Sequence, residues 1–219
     1  MVEKIYVTYN DVHKLCQEAA PRILSSFQPQ LMIAIGGGGY VPARILRSFL
    51  KQPGSPNIPI QAIGLSLYEQ LPMANSTNDG TGAIDQIGTK VTRTQWLDLS
   101  SLGELQNLVG KRILIVDEVD DTRTTLEYAV KELEKDVEEA RQKMGGTAEK
   151  TKFSVFVLHN KDKKKKGTLP ADMIEESRYL AARTVGDEWI CYPWEATDID
   201  AHDELAKKQT NGNGAAKAQ

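Results

Sequence analysis

Apolar and polar positions along the chain follow two rhythms. Nearly unbroken apolar runs occur at Leu31–Ile35 (LMIAI), Ile113–Val116 and Phe153–Leu158 (FSVFVL). Runs this short suit strands covered on both faces, as in a parallel sheet. Elsewhere apolar residues recur at helical spacing. Val12, Leu15, Cys16, Ala19, Ala20, Ile23 and Leu24 share one helical face, with Thr8 or Asn10 placed to cap it and Pro21 to kink or interrupt it. Val41, Ile45, Leu46, Phe49 and Leu50 predict a second helix. Leu126, Ala129, Val130, Leu133, Val137 and Ala140 predict a third. Ile58–Leu67 reads as a strand with Pro59 near its start, Val91–Leu97 as a segment pairing back on the sheet, and Tyr179–Val185 as an edge strand. Strands alternating with helices predict an α/β domain with a mostly parallel, doubly wound sheet. Tyr68–Thr89 is rich in Asn, Ser, Thr, Gly and Asp and predicts a long loop, which in a compact domain is a lid or a disordered segment. Ala206–Gln219 reads as a polar, disordered tail, leaving residues 1–205 as one domain.

Composition narrows the class. A chain of 219 residues fits one α/β domain with an ample core. The net charge of −3 gives no reason to expect nucleic acid as a bulk partner. Cys16 and Cys191 lack metal spacing and are too few for a disulfide framework, which points to a reducing cytoplasm, with Cys16 in the core. No stretch of about eighteen apolar residues predicts a membrane span, and the amino-terminal residues do not read as a signal peptide.

The densest chemistry lies at Ile113–Thr125, ILIVDEVDDTRTT. A buried strand runs into Asp117 and Glu118, then into a turn, Asp121-Thr122-Arg123-Thr124-Thr125, that opens a helix. Acids at the end of a parallel strand sit where open α/β sheets bind ligands. Amides at a helix N-terminus, with threonine hydroxyls beside them, favour a phosphate. An Asp-Thr pair alone would read as an N-cap; the acid pair and the hydroxyls together read as a site for a sugar phosphate or a metal. A second feature is IGGGGYVPAR at Ile35–Arg44. It lacks the Gly-Lys-Ser/Thr of a P-loop, and the dinucleotide fingerprint fails because Val41 or Pro42 stands at the third glycine. Four glycines still let backbone amides approach an anion.

The string Ile113–Thr125 resembles the phosphoribosyl-pyrophosphate (PRPP) motif of the type I phosphoribosyltransferases: a hydrophobic strand, two acids, two apolar residues, then Asp-Thr-Gly-x-Thr. Asp120 stands where an apolar residue is usual and Arg123 where glycine is usual. Since arginine disfavours the conformations open to glycine, Arg123 is expected to keep an ordinary conformation and to donate to the 5′-phosphate or a neighbouring subunit. The words NIPIQAIGLSLYE, RTQWLD, FVLHNKDK and CYPWE resemble the fungal purine phosphoribosyltransferases, the xanthine branch above the hypoxanthine-guanine branch.

The resemblance implies a type I phosphoribosyltransferase fold: a mostly parallel central sheet flanked by helices, a lid loop with its return strand (68–97), and a small purine-binding segment (159–200). It implies transfer of ribose 5-phosphate from PRPP to N9 of a 6-oxopurine, giving a purine nucleotide and pyrophosphate. Asp117, Glu118, Asp121, Thr122, Arg123, Thr124 and Thr125 would bind PRPP, with Asp121 as the proton acceptor from purine N7. Gly37 and Gly38 would form the pyrophosphate loop, which in the family holds a non-proline cis peptide, expected here at Gly37-Gly38. A basic residue common at position 37 in relatives is missing, which leaves Arg44 or a lid residue to supply that charge. Lys161, with Lys163 as the alternative and His159 a weaker candidate, would donate to the purine 6-oxo group. Trp189 would stack on the base and the Ile190 carbonyl would face its 2-substituent, while Trp194 is assigned to packing. Ser66 and Tyr68 would begin the lid. Magnesium would be held by Asp117, Glu118 and Glu195. A homodimer is implied by resemblance only. A phosphoribosyltransferase for another base, or a non-catalytic PRPP-sensing regulator, are the alternative readings.

Overall fold

The strand and helix rhythms resolve in the computed structural model into β1 (Lys4–Tyr6), α1 (Tyr9–Ser26), β2 (Leu31–Gly36), α2 (Tyr40–Leu50), β3 (Ile60–Tyr68), β4 (Lys90–Gln95), β5 (Arg112–Asp120), α3 (Thr124–Lys143), β6 (Lys152–Lys161), α4 (Ala171–Glu175), β7 (Tyr179–Val185), β8 (Trp189–Cys191) and α5 (Ile199–Ala216). The structure describes residues 3–68, 90–97 and 105–216. Six strands form the central sheet in the order β4-β3-β2-β5-β6-β7. The pairs β2–β3, β2–β5, β5–β6 and β6–β7 are parallel, and β4 returns antiparallel on β3. A separate small sheet pairs β1 with β8 in parallel.

Strand alternation splits the core into two layers. Met32, Ala34, Leu114, Val116, Phe156 and Leu158 pack with α1 and α2 on one face. Leu31, Ile33, Ile35, Ile113, Ile115, Val155 and Val157 pack with α3 on the other. Both faces are covered, as the unbroken apolar runs require. Cys16 is fully buried against α2, its thiol 3.7 Å from the Pro42 carbonyl, and burial pushes that thiol up to about 12.

Three expectations change. Pro21 does not interrupt α1. It lies on the exposed side, so the carbonyl deprived of its partner faces water. Thr8 caps this helix in a reciprocal box with Asp11. The carboxy-terminal stretch is not an irregular tail from residue 206: α5 runs from Ile199 to Ala216 and is tied down at His202, whose Nε2 meets the Val7 carbonyl at 2.9 Å. Finally, β5 continues four residues past Val116, carrying both acids inside the strand. Among the described residues no helix is long and apolar enough to cross a membrane.

Candidate active site

Between β2 and β5 the winding of the chain reverses. From β2 it proceeds through α2 to β3 on one side; from β5 it proceeds through α3 to β6 on the other. Reversal of this kind opens a crevice beyond the strand ends. Here β2 pairs with β5 only as far as Ala34 and Val116, while β5 stays beside β6 to Asp120. The last residues of β5 therefore have one free edge. It faces a cleft of about 450 Å³ whose walls include Gly36–Gly38, residues 117–123, Thr125 and Lys166.

Alternation sends the adjacent acids to opposite faces of the sheet. Asp117 is buried, and its Oδ1 accepts the Glu118 N–H at 2.8 Å. Burial, with the Glu118 and Asp120 charges, pushes its carboxyl up to about 8 against that hydrogen bond. Glu118 accepts from Trp194 Nε1 at 2.9 Å. Burial and the charge of Glu195 push it up to about 7, opposed by the Trp194 bond. Gly38 lies so close that an added Cβ would fall 1.9 Å from the Glu118 Cδ; only a residue without a side chain lets loop and acid meet there. The cis peptide is Gly36-Gly37, one position before the expected Gly37-Gly38. Strand β2 pairs through Gly36, and the Gly39 N–H donates to the Ile35 carbonyl at 2.8 Å, so the turn out of the sheet begins with the Gly36-Gly37 peptide.

Asp117, buried, and Glu118, half-buried with Glu195 near it, both line the cleft and offer oxygen donors of the kind a hard divalent cation takes. Among the described residues no group of three or more His, Cys, Asp and Glu side chains is assembled for a metal. Magnesium characteristically takes one or two carboxylates and completes its shell with substrate oxygens and water.

The turn after β5 is built for an anion. The first helical hydrogen bond of α3 runs from the Glu127 N–H to the Arg123 carbonyl, so the amides of Thr124–Leu126 stand ahead of it. Thr122 and Thr124 hydroxyls lie 3.0 Å apart at the same place. Arg123 departs from expectation twice. Its φ of 68° is left-handed, where the family's glycine would sit at no cost. Its guanidinium is engaged by Asp120 Oδ2, at 2.9 Å from Nε and 2.7 Å from Nη2, and lies over the Tyr179 ring rather than reaching for a phosphate. The two departures from the family motif thus meet each other.

Lys161 and Lys163 converge on Asp121, which lines the cleft. Lys163 Nζ is 2.5 Å from Asp121 Oδ1 and 2.7 Å from Asp187 Oδ1; Lys161 Nζ is 3.6 and 3.7 Å from the same atoms and is the more buried lysine. Trp189 is 59% exposed, while the neighbouring Ile190 is buried. Strand β8 is held by its pairing with β1 and, just ahead of β1, by the Trp189 N–H donating to the Glu3 carbonyl at 2.8 Å. Ser66 and Tyr68 lie on β3, but their side chains, like residues 69–89 of the expected lid, fall outside the described residues.

Four residues carry more than their sequence suggests. Trp194, assigned to packing, holds Glu118 and stacks on Tyr192 at 4.7 Å. The Tyr192 hydroxyl donates to the Glu118 carbonyl at 3.1 Å and meets His159 Nδ1 at 2.9 Å. With its single proton directed to that carbonyl, the phenol accepts from a neutral imidazole protonated at Nδ1, and burial accordingly lowers His159 to about 4. Lys165, read as part of a solvated charge run, is half-buried with its ammonium on main-chain carbonyls. Two aromatics within YPW next to an acid were the one available signal; a lone lysine among four gave none.

No protein-family model matches the chain. Among characterised proteins it is similar to xanthine phosphoribosyltransferase 1 of Saccharomyces cerevisiae, 54% identical over 209 residues, covering 94% of this chain and 97% of that protein. It is 53% identical over 215 residues to the hypoxanthine-guanine phosphoribosyltransferase of the same yeast, covering 95% of this chain and 93% of the relative. Among solved structures it resembles a hypothetical protein from Neisseria gonorrhoeae with bound ppGpp, with a TM-score of 0.71, 38% identity and coverage of 95% and 98% of the two chains.

Proposed function

The chain belongs to the purine phosphoribosyltransferases, and from that premise we propose how its own residues move ribose 5-phosphate from PRPP to N9 of a 6-oxopurine in purine salvage. The observation that carries the reading is the convergence, on one crevice, of the Gly36–Gly38 loop, the β5 acids and the 121–125 turn. The 5′-phosphate docks on the amides opening α3 and on the hydroxyls of Thr122, Thr124 and Thr125. That binding energy is remote from the bond that breaks and serves orientation. Amides of the glycine loop face the pyrophosphate as it departs with its charge. Asp117 and Glu118, supported by Glu195, would hold magnesium, which when bound neutralises pyrophosphate and fixes the ribose hydroxyls.

Purine recognition falls to the other wall. Lys161 is the donor to the 6-oxo group. Its ammonium is buried beside Asp121, and an adenine amino group would leave it unpaired. Trp189 offers an exposed ring for stacking, and the Ile190 backbone faces the 2-substituent. Asp121 accepts the N7 proton as N9 bonds to the anomeric carbon. Xanthine is the favoured base, with guanine and hypoxanthine also accepted; ppGpp on the Neisseria gonorrhoeae chain, a guanine nucleotide, accords with a site open to guanine. The reading includes a homodimer, supported by the family resemblance, and a cytoplasmic setting, supported by two free cysteines. Pyrophosphate release measured in parallel with xanthine, hypoxanthine, guanine and adenine tests it. Release with the oxopurines and none with adenine is expected; PRPP binding with no release on any base would favour a sensor instead.

A further inference from the structure

The two positions that break the family motif are joined to a lysine that the mechanism above leaves unused. Asp120 is 1% exposed, so its charge must be answered locally. Its Oδ2 receives Arg123 Nε and Nη2 and also the Tyr179 hydroxyl at 2.7 Å. Its Oδ1 has no hydrogen bond and faces Lys165 Nζ at 3.6 Å. That ammonium in turn donates to the carbonyls of Asp120 at 2.7 Å, Asp121 at 3.0 Å and Lys161 at 2.8 Å. Three protons on three main-chain oxygens use its full donor capacity.

The loop bearing Lys165 is also seated on the turn by its backbone. The Lys166 and Gly167 N–H groups both donate to the Thr122 carbonyl, at 3.0 and 3.1 Å. A Cβ on Gly167 would fall 2.7 Å from the Arg123 carbonyl oxygen. One end of this assembly is the peptide that begins the phosphate site; the other is the carbonyl of Lys161, the purine donor. Arg123 sits at the bend in a conformation its side chain opposes, so something must hold it there.

We propose that Asp120, Arg123 and Lys165 form a brace, centred on the buried Asp120 carboxylate, that holds the left-handed bend of the phosphate turn and fixes it to the end of β6, so that phosphate amides and purine donor keep one spacing. All three are positioning residues. The inference rests on the phosphoribosyltransferase reading. A purely stabilising role would lower the melting temperature alone. Positioning also moves substrate constants, because misplacing a bound group by a fraction of an ångström weakens its contacts.

The experiment compares Arg123→Ala with Arg123→Gly in the full chain, by PRPP kinetics with magnesium and xanthine and by direct PRPP calorimetry. Both variants lose the Asp120 pair, but only alanine keeps the cost of a left-handed backbone. Arg123→Ala is expected to weaken PRPP about five- to tenfold more than Arg123→Gly, with kcat falling less than KM rises. Lys165→Met is expected to raise KM for PRPP and for the purine together. Adding Arg123→Gly to Asp120→Val is expected to recover PRPP affinity lost in Asp120→Val alone. If Arg123→Ala does not fold, the Asp120→Val pair of variants decides. Equal PRPP constants for alanine and glycine at 123, a Lys165→Met that changes only the melting temperature, or no rescue by glycine would each overturn the brace. Absence of PRPP binding by the unmodified chain would overturn the functional reading instead.

Discussion

Asp121 is bracketed by two lysines at unequal distance, and under the proposed reading that asymmetry divides their roles. Lys163 makes the shorter contacts, bridging Asp121 and Asp187, and is the more solvent-exposed; Lys161 stands back, buried. A buried donor is the one whose loss a bound base would register. Lys161→Met is therefore expected to raise KM for an oxopurine about 10–100-fold, the worth of a hydrogen bond from a charged group, and to narrow discrimination against adenine. Lys163→Met should do less, and a larger effect from Lys163 in steady-state kinetics would exchange their roles. Asp121→Asn should lower kcat by about 10²–10⁴, as for a proton-transfer group, while calorimetric PRPP binding survives. Near-normal turnover would remove Asp121 from the role. The string DEVDDTRTT made the acids and hydroxyls legible because each has its own chemistry. The conformation of Arg123 was not legible, since a left-handed arginine depends on Asp120, Tyr179 and Lys165 gathering around it. No single residue type announces that.

At the scale of elements, β6 and the segment after β8 act as one support for the acid strand. His159 on β6, Tyr192 and the Glu118 carbonyl on β5 form a buried chain of hydrogen bonds, with Trp194 closing on the Glu118 carboxylate. Burial holds His159 below its ordinary pKa, at about 4. A histidine depressed on folding contributes stability that is complete above its unfolded pKa, about 6.5, and is lost as pH falls toward the folded value. His159→Gln is therefore expected to remove about 2–3 kcal/mol of the acid-induced loss between pH 6.5 and 4. Urea unfolding of both proteins across that window reads the difference, and parallel curves would show that His159 does not titrate there. Sequence rhythm located β2, β5 and β6 because both their faces are covered. It did not show β1 or β8, three residues each, or α5, whose polar composition conceals contacts made at His202 and Ala206.

Taken whole, the molecule under the proposed reading sets its two substrates partly on different supports. The PRPP wall belongs to the central sheet at the point where the winding reverses. The proposed purine donor Lys161 ends β6 of that same sheet, but Trp189 and Ile190 stand on the small sheet, where Lys4, Ile5 and Tyr6 register with Trp189, Ile190 and Cys191. Backbone bonds from Trp189 to Glu3 and from Val7 to Cys191 lock that register, and the Tyr6 N–H donates to Gln209 of α5 at 2.9 Å. Removing residues 1–6 is expected to raise KM for the purine several-fold more than KM for PRPP; equal changes in initial-rate measurements would show that the small sheet supports both. On the proposed reading the strand that carries the stacking ring is pinned by residues from the opposite end of the polypeptide, so a fusion or trimming there is expected to reach the nucleobase before it reaches the sugar donor.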